Sequence, residues 1–271
     1  MKNPLQDQLI VLSGASGGIG RELCKIFITK YGANLIGIGR SEEKMLSLKE
    51  ELGELSGKFS YRLFDVSVKE NWLTLADELK RDGKEPYLLI NNAGTFPTFA
   101  RTTEIGTDVI ERVMQVNYFS AVYACDALLP LFENMGAVNI CSSSALCSVV
   151  GTAAYSASKK AMQGYTEVLQ MEETGRYVGI VYPGTTATEL FRNDENTKNS
   201  ALDKVAMPAE KMANKIATLI VKKKKRSVVG WDAKCMNIMA KIAPVKALSM
   251  IAGIMKKSKS KVFSNVFKEE N

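Results

Sequence analysis

Short apolar runs alternate along this chain with stretches in which apolar residues return every three or four positions. "LIVL" (9–12) is apolar at every position, the mark of a strand buried on both faces. "GIGRELCKIFITKYG" (18–32) has helical spacing and a closing glycine. "NLIGIGR" (34–40) predicts a second strand, and "SEEKMLSLKEELGEL" (41–55) a helix capped by Ser41. "KFSYRLFDV" (58–66) reads as a third strand, 67–82 as a helix and "PYLLINNAG" (86–94) as a fourth strand. A long helical stretch over 103–134 follows. Strands are then expected in "AVNICSSS" (137–144) and "YVGIVYPG" (177–184), with a helix between them. This β-α order predicts an α/β fold: a doubly wound parallel sheet with helices on both faces. No repeat or Gly/Ser/Pro-rich linker divides the 271 residues, so one domain is expected.

Composition narrows the chemistry. The chain has no histidine, which removes Ser-His-Asp and Cys-His hydrolysis and nearly every imidazole-based zinc site, so no metal is expected. Cys24, Cys125, Cys141, Cys147 and Cys235 form no C-x-x-C pair and are odd in number, as expected of reduced thiols in a cytoplasmic protein. The apolar run near the N-terminus is too short for a secretory signal and fits a first strand instead. The net charge of +7 is unevenly spread. Residues 222–271 carry 13 Lys/Arg against 3 Asp/Glu, and the preceding residues are slightly acidic. The main body therefore gives no sign of a nucleic-acid partner.

Candidate chemistry falls at the carboxyl ends of the predicted strands, where open parallel sheets bind ligands. "SGASGGIG" joins the first strand to the first helix, and its Gly14, Gly18 and Gly20 suit a backbone that turns tightly around a pyrophosphate. No G-K-[ST] follows, so it is not a Walker loop. At the end of the second strand, Arg40 and Ser41 stand where a carboxylate would select NAD. A base there accommodates a 2′-phosphate, so NADP(H) is expected over NAD(H); the plainer reading is a surface arginine at a helix start. In "AAYSASKKAMQGY" (153–165), Tyr155 and Lys159 are spaced to share one helical face. An ammonium beside a phenol favours the phenolate, so Lys159 is expected to lower the Tyr155 pKa. Ala153, Ala154, Ser156 and Ala157 leave room for ligands to approach.

Taken in order, Gly14-x-x-x-Gly18-x-Gly20, Asn91-Asn92-Ala93-Gly94, Asn117, Ser142 and Tyr155-x-x-x-Lys159 resemble the short-chain dehydrogenase/reductase family, in its short single-domain branch with a Rossmann-like fold. The resemblance runs from about residue 5 to 190. It implies a dinucleotide-binding and catalytic core over 5–190, a substrate lid over 190–215 and a basic C-terminal extension over 222–271. It implies that Tyr155 is the acid in carbonyl reduction and the base in alcohol oxidation, and that Lys159 tunes it and holds the nicotinamide ribose. Asn117 would hold a water that relays protons to Lys159. Ser142, thirteen residues before Tyr155, would bind the substrate oxygen, with Ser143 the fallback because the usual Ser-Ser is Cys141-Ser142-Ser143-Ser144 here. The cofactor would be held by Gly14, Ser16, Gly18, Ile19, Gly20, Arg40, Ser41, Asp65, Val66, Asn92, Ala93 and Gly94, by Tyr155 and Lys159, and by Pro183, Gly184, Thr186 and Thr188. Ser13 stands where the family has threonine, which keeps a hydroxyl. Homodimers or homotetramers through the helices at 103–134 and 153–175 are implied as well.

The expected activity is an NADP(H)-dependent oxidoreductase moving a hydride between nicotinamide and a carbonyl or secondary alcohol with an apolar body, steroid-like, lipid-like or xenobiotic. Phe96, Phe99 and Leu146 are candidates to line its pocket. An epimerase or dehydratase of the family's larger branch fits less well, given the glycine spacing. A non-catalytic nucleotide-sensing or membrane-associated binding protein of the same fold is the reading from another class. The tail has two readings. Met236, Met239, Ala243, Ala247, Met250 and Ile254 share one face of a helix drawn through 235–255. That face would cover the protein's own core, its lid or a second subunit, or, beside "KKSKSK" (256–261), make peripheral contact with an anionic membrane or lipid substrate.

Overall fold

Ile10 and Leu12 face one side of the first strand and Val11 the other, and all three are fully buried, which is why the run is apolar at every position. The computed structural model describes residues 4–133, 135–190, 206–258 and 260–267. Its central sheet contains β1 (Leu9–Ser13), β2 (Asn34–Gly39), β3 (Phe59–Leu63), β4 (Leu88–Asn91), β5 (Ala137–Ile140), β6 (Gly179–Pro183) and β9 (Arg226–Val229). The order is β3-β2-β1-β4-β5-β6-β9 and every pairing is parallel. Winding reverses between β1 and β4, which opens a crevice beyond their carboxyl ends. A two-stranded ribbon, β7 (Thr186–Ala187) with β8 (Met207–Pro208), lies past β6.

Two apolar cores sandwich the sheet. On one face, α1 (Gly18–Thr29), α2 (Glu42–Glu51) and α8 (Ala209–Val221) cover Ile10, Leu12, Leu35 and Ile90. On the other, α3 (Lys69–Arg81), α5 (Ser120–Leu128) and α7 (Ala153–Glu172) cover Val11, Ile36 and Leu89. Helix α2 begins where the sequence predicts, with the Ser41 hydroxyl accepting from the Lys44 amide at 3.3 Å.

Four elements differ from expectation. The stretch over 103–134 is not one helix: α4 (Thr107–Met114) passes into a π-helical turn (Gln115–Phe119) before α5. Part of the expected lid is core, because α8 packs on α1 and buries Met212, Ala213, Ile216, Ala217 and Ile220. The rest of that lid, 191–205, lies outside the described residues. The C-terminal stretch is two helices, α9 (Trp231–Ile242) and α10 (Pro244–Lys257), joined at Ala243 with φ −145° and ψ 71°. A short α6 (Ser143–Leu146) follows β5, where the sequence marks only a strand end.

Because Ile216 is fully buried against α1, Ile216→Ala should cost about 2–5 kcal/mol of stability. Equilibrium denaturation measures that loss, and a value under half a unit would show α8 to be peripheral.

Candidate active site

Tyr155 and Lys159 lie on the first two turns of α7, beyond the ends of β4 and β5. Ala154, Ser156 and Ser158 on that stretch are buried, and their small size lets the helix lie close against its neighbours. Lys159 is 3% exposed, and its Nζ donates to the Ile140 carbonyl at 3.1 Å. Cys141 Sγ donates to the Lys159 carbonyl, which fixes this turn against β5. No carboxylate pairs with the ammonium among the described residues, and burial holds its pKa below the ordinary 10.5.

Burial works against the acidification expected of Tyr155. Burial pushes the phenol up to about 12, and a hydrogen bond with Ser142 offsets part of that rise. The Lys159 ammonium sits 5.9 Å from the centroid of the Tyr155 ring and donates to a backbone carbonyl. Of the two candidate serines, Ser142 is the one whose hydroxyl acts on the Tyr155 phenol. Ser142 also caps α6, accepting from the Ser144 amide at 3.1 Å, so its orientation is fixed from two sides.

Asn117 sits fully buried inside the π-helical turn, a type of bulge that favours functional sites. Its Oδ1 accepts from the Thr95 amide at 2.7 Å, and its Nδ2 donates to the Thr95 carbonyl and the Ser158 hydroxyl, each at 3.0 Å. Both side-chain donors are therefore spent on joining the segment after β4 to α7. Asn117 and Lys159 both border Gly94: a Cβ there would lie 3.4 Å from Asn117 Oδ1 and 3.6 Å from Lys159 Nζ.

The glycine loop lies beside this cluster. Gly14 has φ +70°, and a Cβ on Gly20 would stand 2.1 Å from the Gly14 carbonyl oxygen, so neither position accepts a side chain. Ser13 Oγ accepts from the amides of Asn92 and Ala93 at 3.1 Å, and Asn92 Nδ2 donates to the carbonyls of Ser13 and Gly14. Ser16 and Gly18 border a cleft of about 700 Å³ that runs from this loop to Lys44 and Thr188. Lys44 and Glu189 form an ion pair at 2.5 Å beside it. Ile19 is partly buried against the core.

The outer positions are mixed. Arg40 is exposed and close enough to Asp65 to help lower its pKa, although the larger causes there are the hydroxyl and amide of Ser67. Val66 is buried and its carbonyl accepts from Trp72, so of that pair only Asp65 is partly accessible. Thr186 is buried and donates to the Gly184 carbonyl, which leaves Thr188 as the threonine beside Gly18. The turn at Pro183-Gly184 is packed against Asp232, whose carboxylate accepts from the Thr185 amide at 2.6 Å. Asn91 is set deeper, donating to Asn139 at 2.8 Å, which donates in turn to Thr166.

Sequence reading missed the residues that cover the tyrosine from the C-terminal side. Met255, Val262, Phe263 and Val266 form a buried apolar cluster with Phe96 and Phe99, against which Tyr155 packs. Edge-to-face rings connect Tyr155 to Phe96 (5.3 Å), Phe96 to Phe99 (5.0 Å) and Phe99 to Phe263 (5.1 Å). Arg101 Nε donates to the Val266 carbonyl. The aromatic content of "VFSNVF" (262–267) was the available signal. Leu146 belongs to a different cluster, with Cys141, Ile180 and Tyr182.

These residues fit a pyridine dinucleotide. Ser16, Gly17 and Gly18 border an open cleft where α1 begins, so its first amides can face a phosphate, and Lys159 offers a buried cation whose remaining donors suit ribose hydroxyls.

A buried ammonium without a counter-ion is a cost to folding. Lys159→Met is therefore expected to leave the thermal stability of the ligand-free protein equal or higher. The pKa of Lys159 is depressed in the fold, so the penalty is full below that folded value and fades as pH rises toward 10.5. The variant's advantage should shrink accordingly in thermal melts taken at increasing pH. A variant that melts well below the parent near neutrality would contradict this account.

The family described as short chain dehydrogenase matches residues 8–199. A 3beta-hydroxysteroid dehydrogenase 2 from Eggerthella lenta is 31% identical over 195 residues, covering 69% of this chain and 75% of that protein. A 3-ketodihydrosphingosine reductase from Bos taurus is 28% identical, covering 88% and 76% respectively. A short-chain dehydrogenase structure from Shigella flexneri complexed with NADP aligns with TM-score 0.75 at 26% identity, over 86% of this chain and all of that one. With its parallel sheet, its glycine loop and its Asn117, Ser142, Tyr155 and Lys159 gathered at one crevice, the chain belongs to the short-chain dehydrogenase/reductase family of oxidoreductases.

Proposed function

We propose that this protein is an NADP(H)-dependent reductase of ketones or aldehydes with an apolar body, working in reverse as an alcohol dehydrogenase. The bound nicotinamide supplies or accepts the hydride. Tyr155 delivers a proton to the substrate oxygen in reduction and removes it in oxidation. A phenol held near 12 by burial is fully protonated at neutral pH, the form that reduction needs. Ser142, beside the same phenol, turns its one hydroxyl proton to the substrate oxygen as charge develops there. Lys159 holds ribose hydroxyls and keeps a positive charge beside the ring. Asn117 joins the Thr95 segment to α7, so the cofactor and tyrosine sides of the crevice stay in register. The observation that carries the reading is Ser142 and Tyr155 set together beside a buried cation, Lys159, that has no counter-ion among the described residues.

Two features support the finer assignments. Arg40 and Ser41 end β2 without a carboxylate, and Glu42 is occupied by Tyr61, which favours a 2′-phosphate over a bare ribose. The apolar cluster around Phe96, Phe99 and Phe263 favours an apolar substrate, as do relatives named for a hydroxysteroid and a ketosphingosine. Pairing of two copies through α4, α5 and α7 belongs to the same proposal, and exposed Val168 and Met171 leave α7 an apolar edge.

Tyr155→Phe should lower turnover by a factor of about 100 to 10,000 while cofactor fluorescence still reports binding. Retained turnover, or failure of the parent protein to bind any pyridine nucleotide, would remove the reading. Arg40→Asp should weaken NADPH binding at least several-fold and leave NADH binding equal or tighter. Equal loss for both cofactors would reject Arg40 as the 2′-phosphate partner.

A further inference from the structure

The C-terminal hairpin carries apolar side chains that no other described residue covers. On α9, Trp231, Ile238 and Ile242 recur at intervals of seven and four residues, which places them on one face. They are 65%, 55% and 78% exposed, and Val245 and Leu248 at the start of α10 continue the exposure at 76% and 46%. Burial of Ala233 on α9 and of Ala247 and Met255 on α10 marks the opposite, inward faces. Of the face drawn through 235–255 from the sequence, Met250 and Ile254 are exposed, at 55% and 64%, while Ala247 is buried. Ala243 breaks that helix, and the break turns Ala247 inward and brings Ile242 and Val245 out.

The surroundings are cationic. Between 230 and 267 the chain has seven lysines and one carboxylate, Asp232, which is engaged with the Thr185 amide. Lys234, Lys241, Lys246, Lys256 and Lys257 are all exposed. Arg226 donates to Asn237 at 2.9 Å, which ties the end of the exposed run Lys222–Lys225 to the middle of α9. A second copy laid symmetrically on this ridge would bring these lysines against their own equivalents with no acidic residues to answer them. An anionic surface answers them directly. Exposed Trp, Ile, Val and Leu flanked by lysine are the side chains that enter the boundary of a bilayer, and no described helix is long and apolar enough to cross one.

We infer that the ridge formed by Trp231, Ile238, Ile242, Val245 and Leu248 docks this protein on an anionic phospholipid bilayer, its apolar side chains entering the headgroup boundary and its lysines meeting lipid phosphates and carboxylates. The inference stands on this surface alone and does not depend on the proposed reaction.

Full-length protein is mixed with vesicles of phosphatidylcholine alone and of phosphatidylcholine with phosphatidylserine, then floated on a density gradient. The parent should float only with the anionic vesicles, and added salt should weaken the association. Trp72 is fully buried, so a blue shift of tryptophan emission on adding vesicles reports Trp231. The double variant Ile238→Asp, Ile242→Asp should lose flotation and the blue shift while keeping the parent's melting temperature. Lys241→Glu with Lys246→Glu should lower partitioning by roughly fivefold or more per lysine. Equal flotation with both vesicle types, no flotation of the parent, or undiminished flotation of the isoleucine double variant overturns the inference. So does light scattering in which the parent is an oligomer that the double variant splits while neither binds vesicles, since the ridge would then join copies of this chain.

Discussion

A lone ammonium, buried with a backbone carbonyl as its acceptor, is the constraint around which this crevice is arranged. Lys159 is almost wholly buried between β5 and α7, and no carboxylate among the described residues neutralises it. Its neighbours are therefore dipoles and soft groups: the Ile140 carbonyl, the Cys141 sulfur and the Tyr155 ring. Such a cation is unfavourable in an empty fold and useful beside a polyhydroxylated, anionic ligand. The same enclosure explains why the phenol alongside is a weaker acid here than in water, with burial outweighing the Ser142 hydrogen bond.

The glycine loop obeys a complementary constraint, one of space. Its backbone is held by side chains from elsewhere: Asn92 reaches the Ser13 and Gly14 carbonyls, and Ser13 returns two bonds to the segment after β4. Because that segment continues through Gly94 to Thr95, which Asn117 holds, the two halves of the crevice are connected by a single run of hydrogen-bonded backbone.

Much of this was legible in the sequence, and the failures have physical causes. Strands buried on both faces announce themselves as unbroken apolar runs, and Ser41 before two glutamates announces a helix start. The spacing of Tyr155 and Lys159, and the thirteen residues back to Ser142, survive folding because a helix and a strand end fix them. The acidity of Tyr155 was not legible, since it depends on how deeply the hydroxyl is set and on where the ammonium points. The π-helical turn at Asn117 leaves no pattern in "MQVNYFS". Helix α8 was hidden because its partner, α1, lies almost two hundred residues earlier in the chain. The tail misled for a simpler reason: a wheel drawn through Pro244 assumes one continuous helix, and a break at Ala243 resets the phase.

Lys44 and Glu189 lie at the mouth of the glycine cleft, one on α2 and the other just past β7, with the Glu189 carboxylate reaching toward Gly17. Both side chains are largely solvated, so the pair holds the mouth with little energy. An anion drawn to Lys44 at this mouth would therefore compete with only a weakly held carboxylate.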